Sequence, residues 1–241
     1  MNAKSLLMSA AILGAAACSD DKANSCPHPA NYTPNIAPSN FPTSTRIDNQ
    51  YFPLTPGRSF TYRDADGNIT VVAVTSDTKT IAGITCVVVH DFTKTPAGEL
   101  FEDTYDWYAQ DKDGNVWYMG EDTKLYQNGS VISTQGSWLT GANGAKPGII
   151  MEGHPQVGDS YRQEYLCGSA EDKADVLSLT ETITVPYGTF NNCLKTKDHS
   201  DLEPGKAENK YFSPGLGQVS AVDIVTSGTA PHEDLISVTG P

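Results

Sequence analysis

The sequence predicts an all-β domain: an antiparallel meander that curls into a curved sheet, half-barrel or barrel, with few or no helices after an amino-terminal leader. Three observations predict it. From Tyr51 onward, short runs rich in Val, Ile, Thr, Tyr and Trp are separated by Gly, Pro, Asn and Asp, which is the punctuation of strands and turns. Residues 177–185 alternate apolar residues with Ser or Thr apart from Glu181, as a half-buried strand requires. The pattern D-x-D-G-N occurs twice between apolar runs, at residues 64–68 and 111–115. Asp at the first turn position and Gly three later fit a type I turn whose Gly takes positive φ as a bulge.

The chain opens on an export signal at residues 1–17. Lys4 and the free amine precede an uncharged apolar stretch from Leu6 to Ala17. About 12 residues at 1.5 Å each reach roughly 18 Å, short of the ~30 Å hydrocarbon core, so this is a removable signal and not a membrane span. Ala15-Ala16-Ala17-Cys18 resembles the site at which bacterial lipoproteins are lipidated and cut, with Ala15 where Leu is usual. The expected anchor is a diacylated Cys18, and Ser19 after it fits outer-membrane sorting. The same Ala-x-Ala also suits ordinary signal peptidase, which would release the chain to the periplasm or cell surface without a lipid.

Cysteine usage fits an oxidising compartment. The chain has five cysteines; beyond Cys18, the four that remain are Cys26, Cys86, Cys167 and Cys193, which allow three pairings. Cys86 with Cys193 is the expected disulfide, since both lie in apolar, strand-like runs. No CxxC spacing occurs, so neither a metal site nor a cofactor is predicted. Residues 18–46, rich in Pro, Ser and Asn, read as an extended tether or a surface-hugging arm. Residues 47–241 form a single β domain. The formal net charge of -13 repels phosphate backbones and anionic lipid surfaces. Nucleic acid is therefore not an expected partner, and the membrane is one only through the lipid anchor.

Within the domain, strands are expected at residues 84–92, 161–166, 177–185, 190–198, 208–213 and 218–225. Turns at 186–189 and 214–217 separate the last of them. The best helix candidate is short, at residues 170–176. A long antiparallel series without a strong amphipathic helix must curl or close to hide its edges.

Four stretches carry a resemblance. They are DWYAQD at 106–111 with GNVWY at 114–118, YRQEY at 161–165 with AED at 170–172, VPYGTF at 185–190, and YFSPGLG at 211–217. Together they resemble an uncharacterised family of bacterial secreted lipoproteins over about residues 50–225. The last two also look like the sheet region of curved-sheet envelope proteins with LolA-like folds. The resemblance implies an envelope location and β architecture and brings no activity with it.

Catalytic spacings such as GxSxG, HExxH, GxxxxGK[ST] and GxGxxG before a helix are absent,. The candidates for chemistry are carboxylates and one histidine. Glu152 and His154 sit two apart on an extended segment and would point the same way. Glu164, Glu171 and Asp172 flank Cys167, whose disulfide would hold that loop in place. Glu181 falls on the apolar face of its strand, where a charge needs a partner, solvent or a pocket. For binding, Tyr105, Trp107, Tyr108, Trp117 and Tyr118 crowd one hairpin. A bulged turn there sets Tyr108 opposite Tyr118 and Trp107 opposite Met119; a two-residue turn sets Asp106 opposite Glu121. The first is favoured because the second apposes like charges. The expected ligand is a small molecule, a glycan or an envelope protein. The alternative is an extracellular hydrolase or lyase acting on a polymer.

Overall fold

A computed structural model describes residues 32–42 and 45–241. The signal peptide, Cys18 and Cys26 lie outside the described residues. The first strands are β1 Ser59–Asp64, β2 Ile69–Ile81, β3 Ile84–Lys94, β4 Leu100–Gln110 and β5 Val116–Gln127. Short elements follow: β6 Ser130–Ser133, β7 Trp138–Leu139, β8 Lys146–Met151, β9 Ser160–Arg162 and β10 Glu164–Tyr165. The last five are β11 Asp172–Val185, β12 Gly188–Ser200, β13 Ala207–Ser213, β14 Gly217–Asp223 and β15 His232–Thr239. They pair antiparallel in the order β10-β8-β5-β4-β3-β2-β1-β15-β14-β13-β12-β11-β9, with β6 and β7 on β5. The result is one sheet rolled into a nearly closed barrel.

The seam is made by residues 160–165, which change partners midway. On β9, Arg162 pairs with Lys173 of β11, whereas on β10 Glu164 pairs with Pro147 of β8. Between them the Gln163 N–H donates to the Asp172 carbonyl at 2.8 Å. Closure brings this kink onto the backbone of Gly148. A Cβ at Gly148 would stand 2.2 Å from the Gln163 carbonyl carbon and 2.4 Å from the Arg162 oxygen, so only glycine fits.

The two D-x-D-G-N turns form as expected, each with one Asp oxygen bonding two backbone N–H groups. Asp64 accepts from Asp66 and Asn68 at 2.9 and 2.8 Å, and Asp111 accepts from Asp113 and Asn115 at 2.9 Å each. Gly67 and Gly114 take φ of 84° and 85°. At the second hairpin the register departs from expectation. Tyr108 does face Tyr118, but Trp107 faces Gly120 and not Met119, and Asp106 faces Glu121. A β-bulge shifts the register by one between the two pairs,. Gly120, at φ 142°, makes it possible: a Cβ there would meet the Trp138 carbonyl oxygen at 2.6 Å.

One end of the barrel is stoppered by the chain itself. Ile47, Tyr51, Phe52 and Leu54 enter the main core beside Tyr108, Tyr118 and Leu194. Asn49 locks this plug: its oxygen accepts the Tyr51 and Phe52 N–H groups and its amide donates to the Gly114 and Glu152 carbonyls. Outside, a second apolar layer of Ile84, Cys86, Trp107, Trp117 and Met119 is covered by Phe41 and Ile36. The arm is held at both ends, by the Tyr32 hydroxyl on the Pro147 carbonyl at 2.7 Å and by Lys112 Nζ on the Ser39 carbonyl at 2.7 Å.

Two expectations are corrected. Cys86 and Cys193 are both free. Cys86 packs in the outer layer under the arm, whereas Cys193 sits six strand steps round the sheet, opposite Glu181 and close enough to Tyr51 to act on it. Apolar surroundings placed both indoors but in distant parts of the sheet. Residues 170–176 are not helical. From Asp172 they belong to β11, with Ala174 and Val176 buried in the core.

The seam makes a direct prediction. Replacing Gly148 by Ala drives a methyl into backbone and should cost about 3 kcal/mol or more. Gly67→Ala, where the nearest side-chain atom is 3.5 Å away, should cost only about 1 kcal/mol for its positive φ. Urea melts of the two variants would measure the difference; equal costs would show that the seam tolerates a side chain.

Candidate functional site

The end opposite the plug is built from the strand ends that carry charge. Alternation on β3 takes Val87 and Val89 into the core and then buries Asp91 and Thr93; on β4 it buries Glu102, Thr104 and Asp106 before Tyr108. The same alternation buries Asp198 on β12 and Glu208 and Lys210 on β13. Glu121, Asp172 and Glu233 project into this region from β5, β11 and β15, and Glu164 from the seam strand β10. Among the described residues Lys210 is the one buried Lys or Arg. Its Nζ lies 3.1 Å from Asp198 and 3.4 Å from Glu208. Burial opposes its charge, and the two carboxylates more than offset that, so its pKa is raised,.

At the other shifted carboxyls the balance runs the other way, although Lys210 still lowers Asp172. Burial is the first cause at each. It pushes Asp106 up to about 7, against a 2.6 Å bond from the Tyr118 hydroxyl, and Glu102 to about 7, against the Thr104 hydroxyl. Asp172 rises to about 7 and Glu233 to about 8, while Glu121 and Glu164 lie well above the usual carboxylate range. After burial, Glu121 is raised by Asp106, Glu102 and Asp172, and Glu164 by Asp172 and Glu121. The apposition of Asp106 and Glu121 thus adds to burial in raising Glu121,.

Several buried polar atoms here have no hydrogen-bond partner: Glu102 Oε2, Asp106 Oδ2, Glu164 Oε2 and the Tyr108 hydroxyl. Rings line the same space. Tyr108 and Tyr118 stack at 4.9 Å, and Trp138 meets Tyr118 edge-on at 5.2 Å. Near the mouth a recess of about 20 Å³ lies between Asp172, Asp198, Glu203 and Glu208, room for about one water-sized group. Beside it a cleft of about 540 Å³ is lined by Lys197, His199, Asp201, Lys206 and Ile224, within the range of small-ligand sites.

The structure sorts the sequence candidates. Glu164 and Asp172 are brought together in the carboxyl cluster. Glu171 is buried beside it and accepts the Gly168 N–H at 2.9 Å, one residue from Cys167, which is disulfide-bonded. Glu152 lies at the plug end, where burial and Asp159 raise it to about 7, and His154 beyond it is exposed. Glu181 is half-buried opposite Cys193 and stands apart from the cluster, on a strand whose register slips between Val176 and Ile183. Of the aromatics, Tyr108 and Tyr118 point inward, and Trp107 and Trp117 lie under the arm. Tyr105 is exposed and stacks on His90 at 4.4 Å, and His90 meets Asp103 at 2.6 Å.

Sequence reasoning missed Asp91, Glu102, Asp106, Glu121, Asp198, Glu208, Lys210 and Glu233. The signal that singled out Glu181, a charge at an inward position, was present in V-x-V-x-D-x-T at 87–93 and E-x-T-x-D-x-Y at 102–108.

The chain is similar to an exported-protein candidate with a YmcC-like fold from Bacteroides fragilis, at 17% identity and a TM-score of 0.45, over 79% of this chain and 99% of that one. It is also similar to a candidate lipoprotein from Parabacteroides distasonis, at 15% identity and a TM-score of 0.43, over the same shares. No family model and no curated protein matches it.

The cluster has a signed consequence for stability. Carboxyls whose folded pKa is raised hold protons more tightly folded than unfolded. Their contribution is complete below the unfolded range near pH 4 and is lost as pH climbs through about 7 to 8. Lys210, raised from an already high value, does not titrate in that window. The melting temperature should fall by on the order of 5–10 °C between pH 5 and pH 8.5. The double variant Asp106→Asn, Glu121→Gln should flatten the slope; an unchanged slope would place its origin elsewhere. Lys210→Met leaves Asp198 and Glu208 without their cation and should cost about 3 kcal/mol at pH 8, less at pH 5, as read by chemical denaturation at the two pH values.

Proposed function

We propose that this chain is an exported protein of the cell envelope, anchored through a diacylated Cys18 and sorted to an outer membrane, whose barrel binds a ligand without transforming it. The leader, Cys18 and the tether support the location. The observation that carries the binding reading is the group of buried oxygens without partners beside Tyr108, at the end of the barrel that the chain does not plug. Buried polar atoms in folded proteins are almost all bonded. Several together, among carboxyls with little counter-charge, describe a surface made for something other than protein. Tyr105, stacked on His90 outside, offers a smaller glycan-type platform.

A second reading has one observation in its favour. Glu164 and Asp172, two of the residues expected of a polymer hydrolase or lyase, share the interior with raised pKa values, as an acid and base pair requires,. Against it, Glu152 and His154 lie elsewhere, and a polymer backbone has only the mouth to approach.

Mass spectrometry of detergent-extracted protein should find a diacylglyceryl group on Cys18; an unmodified amino terminus at or beyond Cys18 would overturn the anchoring. Thermal shift against fractionated envelope extract should find a stabilising fraction whose effect Asp106→Asn abolishes. Turnover of an envelope polysaccharide that Glu164→Gln abolishes would replace the binding reading with the enzymatic one.

A further inference from the structure

We propose that the polar half of the barrel binds the ammonium group of a small organic amine between Asp106 and Glu164, beside the Tyr108 hydroxyl. This rests on the binding reading and names its ligand class.

The argument begins with Lys210. The barrel already holds one ammonium group indoors, and it does so with two carboxylates at 3.1 and 3.4 Å from neighbouring positions, Asp198 on β12 and Glu208 on its own strand. On the wall formed by β4, β5 and β10 the same kind of donor set recurs with no Lys or Arg buried among it. Asp106 and Glu121 are directly opposite across a bulge. Glu164 stands on the seam strand, near enough to act on both Tyr108 and Tyr118.

Three atoms here point to a ligand independently of the charge count. Asp106 Oδ2, Glu164 Oε2 and the Tyr108 hydroxyl make no hydrogen bond of ordinary geometry, the Trp138 N–H acting on Glu164 from nearby, and their residues are 1%, 4% and 0% exposed. Three acceptors, one of them a hydroxyl, match the three N–H donors of an ammonium group. The walls match its carbon side. Tyr108 and Tyr118 stack at 4.9 Å with Trp138 edge-on, and aromatic rings next to a cation supply further attraction and apolar contact for an alkyl chain. A metal ion fits less well: among the described residues no three His, Cys, Asp or Glu side chains converge as metal ligands.

The bulge is the feature that would otherwise be hard to understand. Without the extra residue, Asp106 would lie opposite a different neighbour. Gly120, with a φ that favours glycine, brings two like-charged residues face to face inside a closed wall. Burial raises the pKa of both, and of Glu102, Glu164, Asp172 and Glu233 around them. An arriving ammonium replaces proton with cation, so binding and proton release are linked.

Titration calorimetry of the mature chain with propylamine and putrescine tests this. At pH 8 both should bind, with an apparent heat that changes with the ionisation enthalpy of the buffer because protons are released, and about tenfold more weakly at pH 6. Asp106→Asn and Glu164→Gln should each weaken binding at least tenfold while circular dichroism stays that of the parent. Tyr108→Phe, which removes only the hydroxyl, should weaken it less and serves if the amides fail to fold. No amine binding by folded protein at pH 8, equal affinity in folded variants, or binding of Ca²⁺ or Mn²⁺ with indifference to amines would each overturn the proposal. A neutral glycan or an anionic ligand whose binding Asp106→Asn abolishes would overturn the amine and leave the binding reading standing.

Discussion

Closure of the sheet at Gly148 governs where the rest of the molecule goes. An open meander can leave one face of each strand in water, so that the inward charges of β3, β4, β12 and β13 stay hydrated. Once residues 160–165 join β11 to β8 over a glycine backbone, that face becomes an interior. Every second residue is then indoors whatever its chemistry. The apolar half of each strand fills the plugged end, and the polar half of the same strands is enclosed with it.

Enclosure sets the electrostatics. A carboxylate taken from water without a cation is costly, and the protein meets this in two ways around one ring of strands. On β12 and β13 it supplies Lys210. On β4, β5 and β10 burial raises the carboxyl pKa values toward the protonated form, with single hydroxyl bonds from Thr104 and Tyr118 working against it. The first solution holds across the ordinary pH range and the second does not, so the two walls respond differently to the same change in pH. On the binding reading proposed above, that asymmetry separates the charged wall that is finished from the one that accepts a ligand.

The architecture was legible in the sequence, and for physical reasons. Strand punctuation, the twin D-x-D-G-N turns and the alternation at 177–185 are local properties, and they survive into the fold. The site was legible only in fragments. Glu164 and Asp172 were singled out for their closeness to Cys167, and the structure places them together because they stand on either side of the seam, a long-range event. Tyr108 and Tyr118 were read as a hairpin pair, and their face was settled by closure. The register between Asp106 and Glu121 failed because like charges were weighed as ionised. In a closed barrel they need not be, and a rule drawn from exposed pairs does not carry indoors. Pairing of Cys86 with Cys193 failed for a related reason: apolar flanks say that a thiol is buried but not in which part of the sheet.

The two ends of the barrel then stand in a definite relation. Residues 47–54 fill one end with apolar side chains, and Asn49 ties that plug to the turn at Gly114 and to the Glu152 carbonyl. Passage to the interior from that side would require breaking a packed core and four hydrogen bonds together. Toward the other end run the connections of residues 200–207 and 223–232, which carry Leu202, Ile224 and Val225 exposed, with Ile224 lining the cleft. These connections have few buried contacts of their own, and segments of that kind open locally at a small fraction of the global stability. The strands that bear most of the carboxyls are therefore held by ladders on both sides, while the connections above them are largely exposed. A binding site of fixed geometry needs such an arrangement to exchange what it holds.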